Sequence, residues 1–186
     1  LYQIFMFSLF KSRGKSHDAY TIAFYNLENI FDTKDNPRTL DDDFTPKGRK
    51  NWDGHRYWKK LKKIARVISQ IGTERSFHTP AILGVVEVEN RQVLKDLVLS
   101  KELKKCDYRI VHYDSPDERG IDVGLLYKKE LFELMHSKSY PLMLEDENGI
   151  RDTTRDILLV KGKLNGELIY VLVNHWPSRR SGVEAS

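Results

Sequence analysis

One dipeptide constrains this chain more than any other. Asn165-Gly166 sits between two apolar runs, "RDILLVKGKL" (Arg155–Leu164) and "ELIYVLVNH" (Glu167–His175). Both central residues of a type I′ turn need positive φ, which Asn and Gly supply at least cost. The pair therefore predicts a two-residue hairpin with Leu164 facing Glu167. That register puts His175 opposite Asp156 and Trp176 opposite Arg155. Strict alternation would send Arg155 and His175 to opposite faces. They converge only if the ladder ends or twists there. Leu168, Tyr170 and Leu172 line one face of the second strand, and Ile169, Val171 and Val173 the other. A strand apolar on both faces is expected to be covered on both sides.

Other runs rich in branched and aromatic residues read as strands: "YTIAFYN" (Tyr20–Asn26), "AILGVVEVE" (Ala81–Glu89), "YRIVHY" (Tyr108–Tyr113) and "IDVGLLY" (Ile121–Tyr127). Trp58, Leu61, Ala65 and Ile68 recur at helical spacing and predict a basic amphipathic helix over about His55 to Ile71. A solvated face explains its lysines better than a nucleic-acid patch does. Asn90 is placed to cap a second helix running to Lys105, with Val93, Leu94, Leu97 and Val98 inward. Asp32–Lys50 is a long polar segment, and such segments inside a domain are usually functional or mobile. Strands mixed with helices predict an α/β (α+β) domain of two packed sheets with helices outside. Residues 20–186 form that domain. Residues 1–19 are a leader and linker.

The leader, "LYQIFMFSLF", is too short to cross a membrane. It reads equally as a strand, a disordered leader or the remnant of a signal peptide; the last would favour a periplasmic or secreted protein. No stable membrane insertion and no specific protein partner are expected. The single cysteine, Cys106, excludes an internal disulfide and any multi-cysteine zinc site. A net charge of +4, from 31 Lys+Arg against 27 Asp+Glu, suits an anionic partner without requiring one.

Three buried strands end in polar groups: Asn26, Glu87 (with Glu89 two residues on) and Asn174-His175. A carboxylate closing an apolar strand is costly unless solvated, paired or bound to a cation. Glu87 and Asn26 suit a hard dication such as Mg²⁺, which takes few carboxylates and keeps water and phosphate oxygens as ligands. Taken alone, Glu87 is equally explained by a salt bridge and Asn26 by a turn. His175 titrates near neutrality and is an acid–base candidate, although single histidines at strand ends are more often structural. Arg155 and Arg179 could clamp phosphate oxygens in pairs. Asp122 could orient a histidine or hold a loop beside Arg119.

The ordered motifs "IAFYNLENIFD", "AILGVVEVEN", "RGIDVGLLY", "TRDILLV" and "VNHWPSR" resemble the endonuclease/exonuclease/phosphatase superfamily, the DNase I-like proteins, and its bacterial endonucleases in particular. The resemblance runs from Tyr20 to about Gly182. It implies a four-layered αββα sandwich and a phosphoesterase using Mg²⁺, with Mn²⁺ or Ca²⁺ as alternatives. It assigns Glu87 to the metal and Asn26 to the first active-site strand. Arg155 would face phosphate; Arg119 and Arg179 are substrate-binding candidates by their place in the sequence alone. His175 would assist the leaving group, with Asn174 and Asp122 beside it. The family's Gly-Asp-x-Asn motif and late Asp-His pair do not occur in these 186 residues. The sandwich is therefore expected to be incomplete at its C-terminal side, as in the N-terminal part of a longer protein. Three functions follow: DNA cleavage, hydrolysis of a lipid or small phosphate ester, or non-catalytic binding of nucleic acid or a partner.

Overall fold

A computed structural model of the chain describes residues 4–10, 19–76, 78–145, 149 and 151–176. Of residues 4–10, 75, 76 and 152 only the backbone is described. The elements in chain order are β1 (Ile4–Phe10), β2 (Ala19–Ile30), α1 (Gly54–Ile68), α2 (Thr73–Ser76), β3 (Ile82–Val88), α3 (Arg91–Val98), β4 (Tyr108–His112), β5 (Asp122–Lys128), β6 (Phe132–Tyr140), β7 (Leu144–Glu145), β8 (Arg151–Asp152), β9 (Ile157–Leu164) and β10 (Glu167–Val173).

Five strands form one sheet in the order β1-β2-β3-β5-β4, in which only β2 and β3 are parallel. A second sheet has the order β10-β9-β6, and β7 and β8 make a small ribbon. Alternation along β3 assigns its side chains to two cores. Leu83 and Val85 join Leu61, Ile64, Leu94 and Leu97 beneath α1 and α3. Ile82 and Val86 face Leu158, Val160 and Val173 of the second sheet. The layers are therefore helix, sheet, sheet, the first three of a DNase I-like sandwich. Among the described residues, no helix covers the outer face of the three-stranded sheet.

That bare face corrects one expectation. Leu168, Tyr170 and Leu172 of β10 are 51%, 60% and 62% exposed, so the strand is covered on one side only. The hairpin itself forms in the expected register, from Leu164↔Glu167 to Leu158↔Val173, with Asn165 at φ 49° and Gly166 at φ 83°.

The helices are shorter than their apolar periodicity suggests. Asp53 caps α1 by accepting from Arg56 N at 2.9 Å. The buried face of α1 is Tyr57, Leu61, Ile64, Ala65 and Ile68, while Trp58 lies beside that stripe and is 54% exposed. Asn90 does cap α3, accepting from Val93 N at 3.0 Å, but α3 stops at Val98 and a separate 3-10 turn follows at Lys104–Cys106. β6 lies where the sequence shows no clear alternation. A register shift between Leu134 and His136 breaks the period that would have revealed it. The Asp32–Lys50 segment is largely irregular but anchored. Phe31 stacks on Phe44 at 4.0 Å, Trp52 Nε1 donates to Phe31 O at 2.9 Å, and Leu40 N donates to Glu118 O at 2.7 Å.

Candidate active site

The site lies where β2, β3 and β10 end together. Before its irregularity at Glu28 and Asn29, the even-numbered residues of β2 face the second sheet, so Asn26 points the same way as Ile22 and Phe24. β10 crosses β3 at Gly84. A Cβ there would stand 3.3 Å from Val173 Cγ2, so the bare backbone permits the close approach. Two residues past Val173, His175 is brought over Glu87. The imidazole Nε2 lies 3.4 Å from Glu87 Oε1, and Asn26 Nδ2 donates to the same oxygen at 3.0 Å.

Glu87 reaches this position through a bulge. It stands at φ 60° between Val86, paired with Val123, and Val88, paired with Asp122. The extra residue inverts the alternation. Val86 faces the second sheet, whereas Val88 faces the helices. Glu28 and Asn29 on β2 are also left-handed, both at φ 57°, so three of the six non-glycine residues with positive φ among the described residues adjoin this point. Such backbone costs on the order of 1–3 kcal/mol per residue and persists where surrounding structure enforces it. Here Glu28 N donates to Asn26 Oδ1 at 2.7 Å, and Lys60 Nζ donates to the carbonyls of Glu28 and Asn29. Burial pushes the Lys60 ammonium below its usual range.

Asn26 therefore steadies Glu87. Its amide oxygen is taken by Glu28 N–H and its amide nitrogen faces the carboxylate, so of the pair only Glu87 keeps an oxygen that could hold a cation. The bulge also separates Glu87 from Glu89, which the sequence placed on one face. Glu89 instead accepts from Asp32 N, and burial pushes its carboxyl up to about 7.

His175 is held below its ordinary pKa, first by burial and then by the Arg155 guanidinium, with Glu87 opposing the shift. Its Nδ1 has no hydrogen-bond partner among the described residues. Arg155 takes a part the sequence did not assign. It is 6% exposed, its Nη1 donates to Asp117 Oδ2 at 2.9 Å, and its Nη2 donates to His175 O at 3.0 Å. The β9–β10 ladder has ended by then, which lets the two residues converge. Burial leaves this guanidinium as a brace for the His175 backbone and not as a phosphate clamp. Arg119 is the open arginine, with a half-exposed side chain 3.7 Å from Asp117 Oδ1. Asn174 is half-buried at the strand end. Asp122 is buried, with Oδ1 accepting from Ser115 N at 2.9 Å and Oδ2 3.1 Å from His112 Nε2. It thus meets a histidine, but His112 and not His175. Arg179 lies outside the described residues.

Two contributors escaped the sequence reading. Asp117 looks like one loop acid among several, and only its burial beside Arg155 distinguishes it. Lys60 looks like one of four lysines, although its place beside the inward stripe of α1 sets it apart from Lys59, Lys62 and Lys63.

The donor set fits a hard dication. Glu87 offers a carboxylate whose two protein contacts both go to Oε1, at a rim close enough to solvent for water and phosphate oxygens to complete a shell.

The two-sheet sandwich thus brings a carboxylate, an amide and an imidazole together at converging strand ends. Residues 21–186 match the endonuclease/exonuclease/phosphatase family, and the chain belongs to it. That family consists of metal-dependent phosphoesterases. No curated protein matches the chain. Among solved structures, an endonuclease/exonuclease/phosphatase from Bacteroides vulgatus is similar at 20% identity and TM-score 0.46, over 80% of this chain and 49% of that one. A family protein from Bacteroides thetaiotaomicron is similar at 14% identity and TM-score 0.44, over 92% and 49%. A humanized TDP2 from D. rerio is similar at 14% identity and TM-score 0.45, over 66% and 46%. The chain spans about half the length of these structures.

Proposed function

We propose that this chain carries the metal-holding and leaving-group side of an active site that hydrolyses phosphodiesters with Mg²⁺, and that its substrate is DNA. One observation carries the reading. Glu87, in a strained left-handed bulge, is held by Asn26 and faced by His175. The strained backbone places a carboxylate side chain that is 15% exposed between an amide and an imidazole.

In this reading Glu87 holds the cation and Asn26 fixes the carboxylate rotamer. A dication held by Glu87 would supply charge neutralisation at the phosphate. His175, whose charged form is disfavoured by burial and by Arg155, contributes a ring N–H that hydrogen-bonds and orients the leaving oxygen. Arg155 and Asp117 act through His175 by fixing its peptide. Arg119 and Asn174 contribute contacts to phosphate oxygens. The exposed cations of α1, Lys59, Lys62, Lys63 and Arg66, together with the net charge of +4, support a polyanionic substrate over a small ester.

The test is metal-dependent cleavage of supercoiled plasmid alongside hydrolysis of small phosphate esters. His175→Ala should slow plasmid cleavage by roughly 10²–10⁴-fold. Cleavage at the wild-type rate would remove His175 from the chemistry. Turnover of small esters with plasmid left intact would move the substrate class.

A further inference from the structure

A second group of ligating atoms lies at the β4–β5 loop. β4 ends at His112 and β5 begins at Asp122, with Asp114 on the loop between them. His112 pairs with Gly124, so the loop folds the Asp122 carboxylate back over the ring. One ligand atom from each of His112, Asp114 and Asp122 lies within 4.8 Å of the other two. The His112 side chain is only 2% exposed. Its Nε2 is 3.1 Å from Asp122 Oδ2, yet the contact is out of line for a hydrogen bond, and no other described residue serves that nitrogen. Asp122 Oδ1 is already used by Ser115 N and Oγ, which leaves Oδ2 facing the ring. Asp114 Oδ1 stands 3.8 Å from His112 Nδ1, on a side chain that is 90% exposed and free to turn.

A buried ring nitrogen close to a carboxylate but not bonded to it wastes both groups. The same spacing is natural for two neighbours in one coordination shell. Metal bonds of about 2.0–2.2 Å, meeting at 90–110°, separate their donor atoms by about 3.0–3.5 Å. The surroundings favour a cation. The adjoining cavity of about 780 Å³ is lined by Glu89, Asp114, Glu118 and Asp122, and by Asp117, which Arg155 already neutralises, against a single positive lining side chain, Arg38.

We infer that His112, Asp114 and Asp122 bind a transition-metal dication of the Zn²⁺ type, at a site separate from Glu87. One imidazole nitrogen with two carboxylate oxygens is a borderline donor set that prefers Zn²⁺ to Mg²⁺. Its effect reaches the candidate active site through the backbone. Metal at His112, Asp114 and Asp122 closes the loop that carries Asp117. Asp117 holds Arg155, and Arg155 holds the His175 carbonyl.

The experiment titrates Zn²⁺ by calorimetry, and Co²⁺ by its visible absorption, into the full chain with excess Mg²⁺ present. Wild type and Glu87→Gln should each bind one Co²⁺ with the same affinity. Asp114→Asn, whose side chain is exposed and whose melting temperature without metal should match wild type, should bind at least tenfold more weakly. His112→Asn should lose the absorption band. Failure of wild type to bind Co²⁺ or Zn²⁺ saturably, loss of binding in Glu87→Gln, or unchanged affinity in Asp114→Asn would each overturn the inference. The Asp114 variant keeps the test decisive if the His112 variant does not fold.

Discussion

β3 and β10 start from the same kind of sequence and end in opposite surroundings. On β3, Ile82, Leu83, Val85, Val86 and Val88 are all 0% exposed. On β10, Val173 is 1% exposed while Leu168, Tyr170 and Leu172 of the other face exceed 50%. The difference is not in the strands. Helices α1 and α3 lie on the five-stranded sheet, and no described helix lies on the three-stranded one. An apolar run thus says what a strand tolerates, and a different segment decides whether each face is covered.

Paired truncations on the two sheets test the contrast directly. Leu94→Ala, on the buried face of α3 at 0% exposure, should cost about 2–5 kcal/mol in urea unfolding. Leu172→Ala, on the bare face, should stay within about 0.5 kcal/mol. Equal costs would mean that β10 is covered in solution. A smaller loss, about 1–3 kcal/mol, is expected for Gly162→Ala, because its Cβ would stand 2.2 Å from Phe132 Cζ and 2.5 Å from Glu133 O. That variant asks whether the three-stranded sheet, bare outside, is nonetheless tightly packed within. Smaller again in stability, but visible in light scattering, is Leu168→Thr combined with Tyr170→Lys and Leu172→Lys. An uncovered apolar edge strand promotes self-association, so the triple variant should remain monomeric at concentrations where wild type does not. Unchanged association would place the sticky surface elsewhere.

The last effect concerns the rim between the regions. The Glu89 carboxyl, raised to about 7 from an ordinary 4.5, binds more proton in the folded state between those values. Stability from this group is therefore present at pH 4.5 and lost as pH rises through 7. Glu89→Gln keeps an acceptor for Asp32 N and should flatten the fall in melting temperature between pH 5 and pH 8. An unchanged slope would assign it to another group.

Much of this was legible from residues alone. Asn165-Gly166 fixes a hairpin because the positive-φ requirement is local, and Asn90 marks a helix start because capping is local. Asn26, Glu87 and His175 could be nominated because polar residues ending apolar strands need a reason. What stayed hidden depends on the third dimension. The bulge at Glu87 inverts a period that sequence assumes unbroken, so Glu89 could not be separated from Glu87. Arg155 looked available because burial is not written in a residue's type, and Asp117 acquires its role only by facing it. β6 was hidden because its own register shift scrambles the pattern by which strands are recognised.

The left-handed backbone at Glu28 and Asn29 has a practical consequence for anyone engineering this protein. Glycine adopts that conformation without penalty, so a search ranked by melting temperature would promote glycine at either position. The same replacements would loosen the turn whose N–H fixes Asn26 and, through it, the Glu87 carboxylate. Heat resistance and turnover should therefore rank these variants in opposite order, and a library sorted on one trait alone would discard the other.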